Sequence, residues 1–128
     1  MAHSYKDLQV WQKAKRLAGT AYRATAIFPK TENYGLTAQI RRAAVSVVSN
    51  IAEGQGRLTK GEFLNSLGQS RGSLLELMTQ HEIALDLSYM NNDSFAVLDS
   101  QCNEVLRMIN GLIDSLQRKA KAASGGTS

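Results

Sequence analysis

The sequence predicts an all-α protein that folds as an antiparallel up-down-up-down four-helix bundle. Four long segments repeat apolar side chains at three- and four-residue steps, which is the spacing of one helix face. The chain of 128 residues contains one proline and only 6% aromatic residues, and this composition favours helix over sheet. We expect residues 1–119 to form the bundle and residues 120–128 to be a disordered polar tail.

The first helix is predicted from about residue 7 to residue 27. Ser4 and Asp7 have the spacing of a capping box at its start. Pro29 ends the helix, because a residue that precedes proline is pushed out of the helical region. The side chains expected to face the core are Leu8, Trp11, Ala14, Ala18, Ala21 and Thr25, with Tyr22 beside them.

The second helix is predicted over about residues 33–53, and Gly54 and Gly56 mark its end, since glycine readily adopts the left-handed conformation. The third is predicted over about residues 60–88, with Thr59 and Glu62 as a capping box. The expected core residues of the second helix are Leu36, Ile40, Ala43, Ala44, Val47, Val48 and Ile51. Those of the third are Phe63, Leu67, Leu74, Leu77, Met78 and Leu85.

The fourth helix is predicted over about residues 93–119, after a turn at 89–93. Its apolar stripe is close to a heptad and consists of Phe95, Leu98, Cys102, Val105, Ile109, Leu112 and Leu116. The connections between the four helices are short, so each helix must pack antiparallel to the next one.

Charge is divided unevenly along the chain, whose net charge is +4. Residues 1–60 carry ten basic and three acidic side chains, whereas residues 61–128 carry five basic and eight acidic ones. Such a division permits either attraction between copies or a cationic patch for a polyanion. Neither a signal peptide nor a run of ~18 apolar residues is visible, so we expect a cytoplasmic protein with no membrane contact.

No pattern in the sequence indicates catalysis, and we expect a protein that is not an enzyme and binds no cofactor or metal. A di-iron site in a bundle needs Glu-x-x-His pairs, but Met78 stands three residues before His81. A single cysteine, Cys102, supports neither an internal disulfide nor a cysteine-rich metal site. We expect Cys102 to fill the core and His81 to be an interface or partly buried polar residue.

Two polar strips run beside the apolar faces of the second and third helices. The first strip is Gln39, Arg42, Ser46, Asn50 and Glu53; the second is Glu62, Ser66, Gln69, Ser73, Glu76 and Gln80. One interpretation is a solvated face. The other is a contact between helices of different subunits or the lining of a channel, since serine and amide side chains suit close approach and cross-helix hydrogen bonds. If buried, Arg42 would need a carboxylate such as Glu53 or Glu76.

Several further groups of residues carry a resemblance to a known family. They are Leu8-Gln9-Val10-Trp11-Gln12-Lys13-Ala14, Phe28-Pro29 with Glu32, Tyr34-Gly35-Leu36, Gln39-Ile40-Arg41-Arg42-Ala43-Ala44, the segment 49–57 and the segment 72–77. Together they resemble the four-helix-bundle family encoded by intervening sequences in bacterial large-subunit ribosomal RNA genes. That resemblance implies a homopentameric barrel with a central channel. A more distant similarity is to the accessory variability protein of diversity-generating retroelements, which binds nucleic acid and a reverse transcriptase.

Two functions follow from these observations as hypotheses. The first is an oligomeric binding module that engages RNA or DNA through a basic surface made of Lys13, Lys15, Arg16, Arg23, Arg41 and Arg57. The second is a structural or adaptor protein that binds a protein partner and no nucleic acid. In a third interpretation these cations are ordinary solvated charges.

Overall fold

A computed structural model describes residues 4–123 of the chain. Its four α-helices are α1 (Gln9–Thr25), α2 (Leu36–Gln55), α3 (Lys60–Asp86) and α4 (Asn92–Ala123), with short 3-10 helices at Tyr5–Asp7 and Lys30–Glu32. Each helix packs against its neighbours in sequence, and α1 closes the bundle against α4. The predicted all-α up-down bundle is confirmed, and α1 and α3 lie diagonally opposite each other.

The helix ends differ from the prediction by a few residues. Helix α1 begins at Gln9 rather than near residue 7, because Ser4 instead caps the preceding 3-10 helix by accepting a hydrogen bond from the Lys6 amide. The Thr59 hydroxyl accepts from the Glu62 amide and donates to Glu62 Oε1, both at 3.1 Å, so Thr59 caps α3 at the predicted position. Helix α4 covers residues 120–123, which the sequence assigned to a tail, and residues 124–128 lie outside the described part.

The core is built from fully buried apolar side chains of all four helices. They include Ala14, Leu17, Ala21, Ile40, Val47, Ile51, Leu67, Leu74, Leu77, Leu98, Val105 and Ile109. Helix α1 is rotated relative to the predicted stripe, since Val10 and Leu17 are buried while Trp11 is half-buried and Tyr22 is exposed. That rotation brings Trp11 to the boundary between the core and the outer surface of α1.

The α2–α3 pair is joined by serine side chains and a glycine. The Ser70 hydroxyl donates to the Val47 carbonyl at 2.8 Å and is completely buried. Gly54 permits the close approach at one end of the pair, because a Cβ there would lie 2.7 Å from the Phe63 ring and 2.9 Å from the Ser66 Cβ. Any larger residue at position 54 would require Phe63 and Ser66 to shift.

The loop between α1 and α2 is tied to the turn between α3 and α4. Glu32 accepts hydrogen bonds from the Leu36 amide at 3.0 Å and from the Tyr89 hydroxyl at 2.9 Å, and these bonds lower the pKa of its carboxyl group. The Tyr89 ring packs on Phe28, with 5.5 Å between ring centroids. One carboxylate therefore caps α2 and joins the two connections at this end of the bundle.

Within residues 4–123, none of the helices combines the length and apolar character that crossing a membrane requires.

Candidate nucleic-acid interface

Helix α1 carries four of the six predicted nucleic-acid contacts and contains no acidic residue. Lys15, Arg16 and Arg23 are exposed, and they lie on the outer side of the helix because the buried residues occupy its other face. A shallow groove of about 560 Å³ follows this side of α1. Its lining consists of Trp11, Gln12, Lys15, Arg16, Gly19 and Arg23.

Lys13, the fourth cation of α1, is held by a neighbouring helix. Its ammonium group lies 3.4 Å from Glu104 Oε1 on α4, and both side chains are partly exposed. Such a pair contributes little to stability in water, but it neutralises the charge that Lys13 would otherwise present. The cationic surface of α1 is therefore formed by the other three side chains.

Arg41 has a structural position rather than an open binding surface. Its Nε donates to Thr25 Oγ1 at 2.9 Å, its Nη2 donates to the Tyr22 carbonyl at 3.2 Å, and its guanidinium lies 4.6 Å from the centre of the Tyr22 ring. A cation at the last carbonyls of a helix is favourable, since these carbonyls carry partial negative charge. Arg41 thus links α2 to the C-terminal end of α1.

Arg57 lies apart from the other predicted contacts. It is exposed in the α2–α3 turn and lines a separate polar hollow of about 180 Å³. The other side chains of that hollow, Glu62, Asn65, Ser66 and Gln69, all belong to α3. Because α3 is diagonal to α1 and includes a carboxylate here, this hollow does not extend the basic surface.

The two polar strips meet each other inside one chain. The Ser46 and Ser73 hydroxyls are 2.9 Å apart, and the Asn50 amide donates to both the carbonyl and the hydroxyl of Ser46. Ser66 and Gln80 are buried in the same chain, and Gln80 Nε2 donates to Glu76 Oε1 at 3.2 Å. These inner members of the strips therefore form hydrogen bonds within one chain that join α2 to α3 or support α3.

The remaining members of the strips are exposed. They are Gln39, Arg42, Glu53, Glu62, Gln69 and Glu76. Arg42 is exposed in the single chain, so the condition under which it would need a carboxylate is not met there. Apolar side chains are exposed among these polar ones: Val45 at 43%, Leu75 at 49% and Ile83 at 44%. A contact with a second copy or the lining of a channel stays a prediction for this outer surface.

His81 and Cys102 form a neutral pair in the core. His81 is only 1% exposed, which corrects the expectation of an interface or partly buried residue, and its Nδ1 lies 3.9 Å from Cys102 Sγ. Burial lowers the pKa of His81 to about 4, and burial together with the charge of Asp99 raises the pKa of Cys102 to about 12. Among residues 4–123, no three side chains of the metal-binding types lie close enough to hold an ion.

Sequence reasoning assigned Trp11 to the core and gave no role to Gln12 or Gly19. The tertiary structure places all three in the groove beside the cations. A signal was present in the sequence, since Val10 and Leu17 also recur with Ala14, Ala21 and Thr25 at helical spacing. Taking that set as the buried face would have turned Trp11 outward.

Comparisons with known proteins support the predicted family. Residues 6–111 match the model of the 23S rRNA-intervening sequence protein family. The fold is similar to a crystal structure of a protein of unknown function from the S23 ribosomal protein family of Bacteroides thetaiotaomicron. That match has a TM-score of 0.74 and 18% sequence identity, and it covers 81% of this chain and 97% of the other. The comparison with curated proteins finds no match. The chain therefore belongs to the 23S rRNA-intervening sequence protein family.

Proposed function

We propose that this protein is a non-enzymatic binding module whose α1 helix engages the phosphates of RNA or DNA. The observation that carries the proposal is the composition of α1, which has four basic side chains and no acidic one. Three of the cations are exposed along one groove, where a polyanion can contact them together. When ammonium and guanidinium groups bind phosphates, they release the counterions condensed on the nucleic acid. The affinity for nucleic acid must therefore fall as the salt concentration rises.

Charge reversal at Lys15 and Arg16 tests this proposal. We expect the double variant Lys15→Glu and Arg16→Glu to bind labelled RNA and DNA at least about tenfold more weakly at low salt. The slope of log affinity against log salt should decrease in magnitude by about one for each lost contact. Fluorescence anisotropy over a salt series measures both quantities, and circular dichroism confirms that the helices are intact.

The matched control moves the same loss of charge to another surface. Lys60 and Lys119 are exposed at the ends of α3 and α4, and their double replacement by glutamate changes the net charge equally. This control should bind nearly as well as the unaltered protein, because neither position belongs to α1. Equal weakening of both variants, no binding at low salt, or binding without a salt slope would contradict the proposal. The last two outcomes would favour the adaptor that binds a protein partner.

We also propose that copies of the chain associate through the outer surface of α2 and α3. Val45, Leu75 and Ile83 are exposed there among amide and charged side chains. Gly72 on α3 is exposed, and a Cβ built on it meets nothing within 4 Å, so another helix can approach closely. Exposed apolar side chains that alternate with polar groups are suited to a protein interface. The homopentamer implied by the family resemblance is the assembly we expect.

Light scattering of the purified protein tests the association. We expect a mass several times the 14.0 kDa of one chain, and a shift toward 14.0 kDa when Leu75 is replaced by glutamine. Replacing Leu58, which is 97% exposed in the α2–α3 turn, by glutamine removes an equally large apolar group outside this surface. The Leu58 variant should keep the mass of the unaltered protein. A mass of 14.0 kDa for the unaltered protein at all concentrations would exclude this assembly.

A further inference from the structure

The groove on α1 combines an aromatic ring with cations, which a surface for phosphates alone does not need. Three of its six lining residues are cations, one is Trp11, and none is acidic. Trp11 and Arg23 are twelve positions apart, so the groove follows α1 for roughly 18 Å. The aromatic ring of Trp11 thus lies at one end of the groove and the guanidinium of Arg23 at the other.

The Trp11 ring packs against the core, and the ammonium of Lys15 covers it. Its indole packs on the core, and Tyr5 contacts it edge to face, with 5.2 Å between ring centroids and 67° between planes. The ammonium of Lys15 lies over the ring at 5.4 Å from its centroid. Lys15 is exposed, so its long side chain can rotate away from the ring without disturbing the core. The displaced ammonium stays close enough to meet a phosphate.

Gly19 and Arg23 define the other part of the groove. A Cβ at position 19 would lie 3.3 Å from Arg23 Nη1, so the guanidinium lies across the space that the absent side chain leaves open. Arg23 Nη2 also donates to Thr20 Oγ1 at 3.3 Å, which helps to hold the guanidinium in place. A planar guanidinium both pairs with phosphate oxygens and stacks on flat rings.

We propose that the α1 groove binds single-stranded nucleic acid, with an unpaired base stacked on Trp11 and phosphates on Lys15, Arg16 and Arg23. This inference rests on the proposed function and specifies its ligand. In a duplex the faces of the bases are stacked inside the helix, so they cannot reach an indole ring. A single strand exposes these faces, and a basic groove with an aromatic platform is the usual way to bind one.

Titration of the full-length protein with single strands and matched duplexes tests the inference. The probes are oligo(U), oligo(dT) and duplexes with the same number of phosphates as each single strand. Trp11 is the only tryptophan, so its fluorescence reports stacking directly. We expect single strands to bind more tightly than duplexes at equal salt and to quench Trp11, and duplexes to leave its fluorescence nearly unchanged.

Two variants separate stacking from charge. Trp11→Leu should weaken single-strand binding roughly five- to hundredfold while leaving duplex binding and the salt slope in place. Gly19→Leu keeps the indole and the three charges but fills the groove and shifts the Arg23 guanidinium, so it should weaken single-strand binding more than duplex binding. Because Trp11→Leu also removes contacts with the core, circular dichroism must show intact helices, and Gly19→Leu provides the test if they are not.

The outcomes of these experiments separate the single-strand inference from the proposed binding of phosphates by α1. Equal affinity for single strands and duplexes, with no effect of Gly19→Leu, would overturn the single-strand inference and leave phosphate binding by α1 standing. Absence of any salt-dependent binding would remove both. Oligo(U) and oligo(dT) should both bind in this way, since stacking and phosphate contacts are common to RNA and DNA.

Discussion

Replacing Leu74 by alanine is expected to lower the free energy of unfolding by about 2–5 kcal/mol. Leu74 lies on α3 with an exposed fraction of 0%, and it belongs to the core cluster formed by all four helices. The truncated side chain leaves a cavity that close-packed neighbours fill only in part. Urea denaturation followed by circular dichroism measures this loss.

The same substitution at an exposed leucine provides the control. Leu58 is 97% exposed, so Leu58→Ala should change the free energy of unfolding by no more than about 0.5 kcal/mol. Both variants must be compared with the unaltered protein at one concentration, because association stabilises a folded chain by mass action. Similar losses for Leu74→Ala and Leu58→Ala would show that the packing of α3 described above is wrong.

Lowering the pH from 7 to about 5 is expected to destabilise the bundle by about 2 kcal/mol through His81 alone. The pKa of His81 is about 4 in the folded protein and 6.5 when the side chain is unperturbed. Below pH 6.5 the unfolded chain therefore takes up a proton that the folded chain excludes, and stability falls until the pH reaches about 4. Burial is the cause, since an imidazolium in the core would lose its hydration.

The variant His81→Leu should remove this pH dependence. It should also be at least as stable as the unaltered protein at pH 7, because His81 Nε2 is buried without a hydrogen-bond partner. Chemical denaturation at pH 7 and at about pH 5 measures how much the free energy of unfolding of each protein changes with pH. The pKa of the Glu32 carboxyl is lowered, so its own contribution is lost only as the pH falls below about 4.5. The prediction would be contradicted by an equal change in the free energy of unfolding with pH in the two proteins, or by an NMR titration of His81 near 6.5.

Much of the bundle follows from the order of residues along the chain. The recurrence of Leu98, Cys102, Val105 and Ile109 requires one face of α4 to be buried, and all four are. The start of α3 could also be predicted from the sequence, because Thr59 caps the helix as its spacing with Glu62 indicates. These features are local, because they depend on residues within a few positions of one another.

The candidate site could be predicted only in part. The excess of cations on the first helix is visible in the sequence, whereas Asp7 falls outside this helix only because the structure begins α1 at Gln9. Which cations are open to a ligand is not visible, because Lys13 and Arg41 are held by partners 91 and 16 positions away. Long side chains reach across to other helices, and their partners are set by how the helices pack.

The sequence by itself determined four helices, their short connections, the apolar face of most of them and the basic character of α1. Only the tertiary structure decided what each polar strip faces: Ser46 meets Ser73 within one chain, while Leu75 and Glu76 remain on the outside. The physical reason is that helical periodicity shows which side chains share a face. What lies opposite that face depends on the rotation and register of neighbouring helices, which contacts distant in sequence determine.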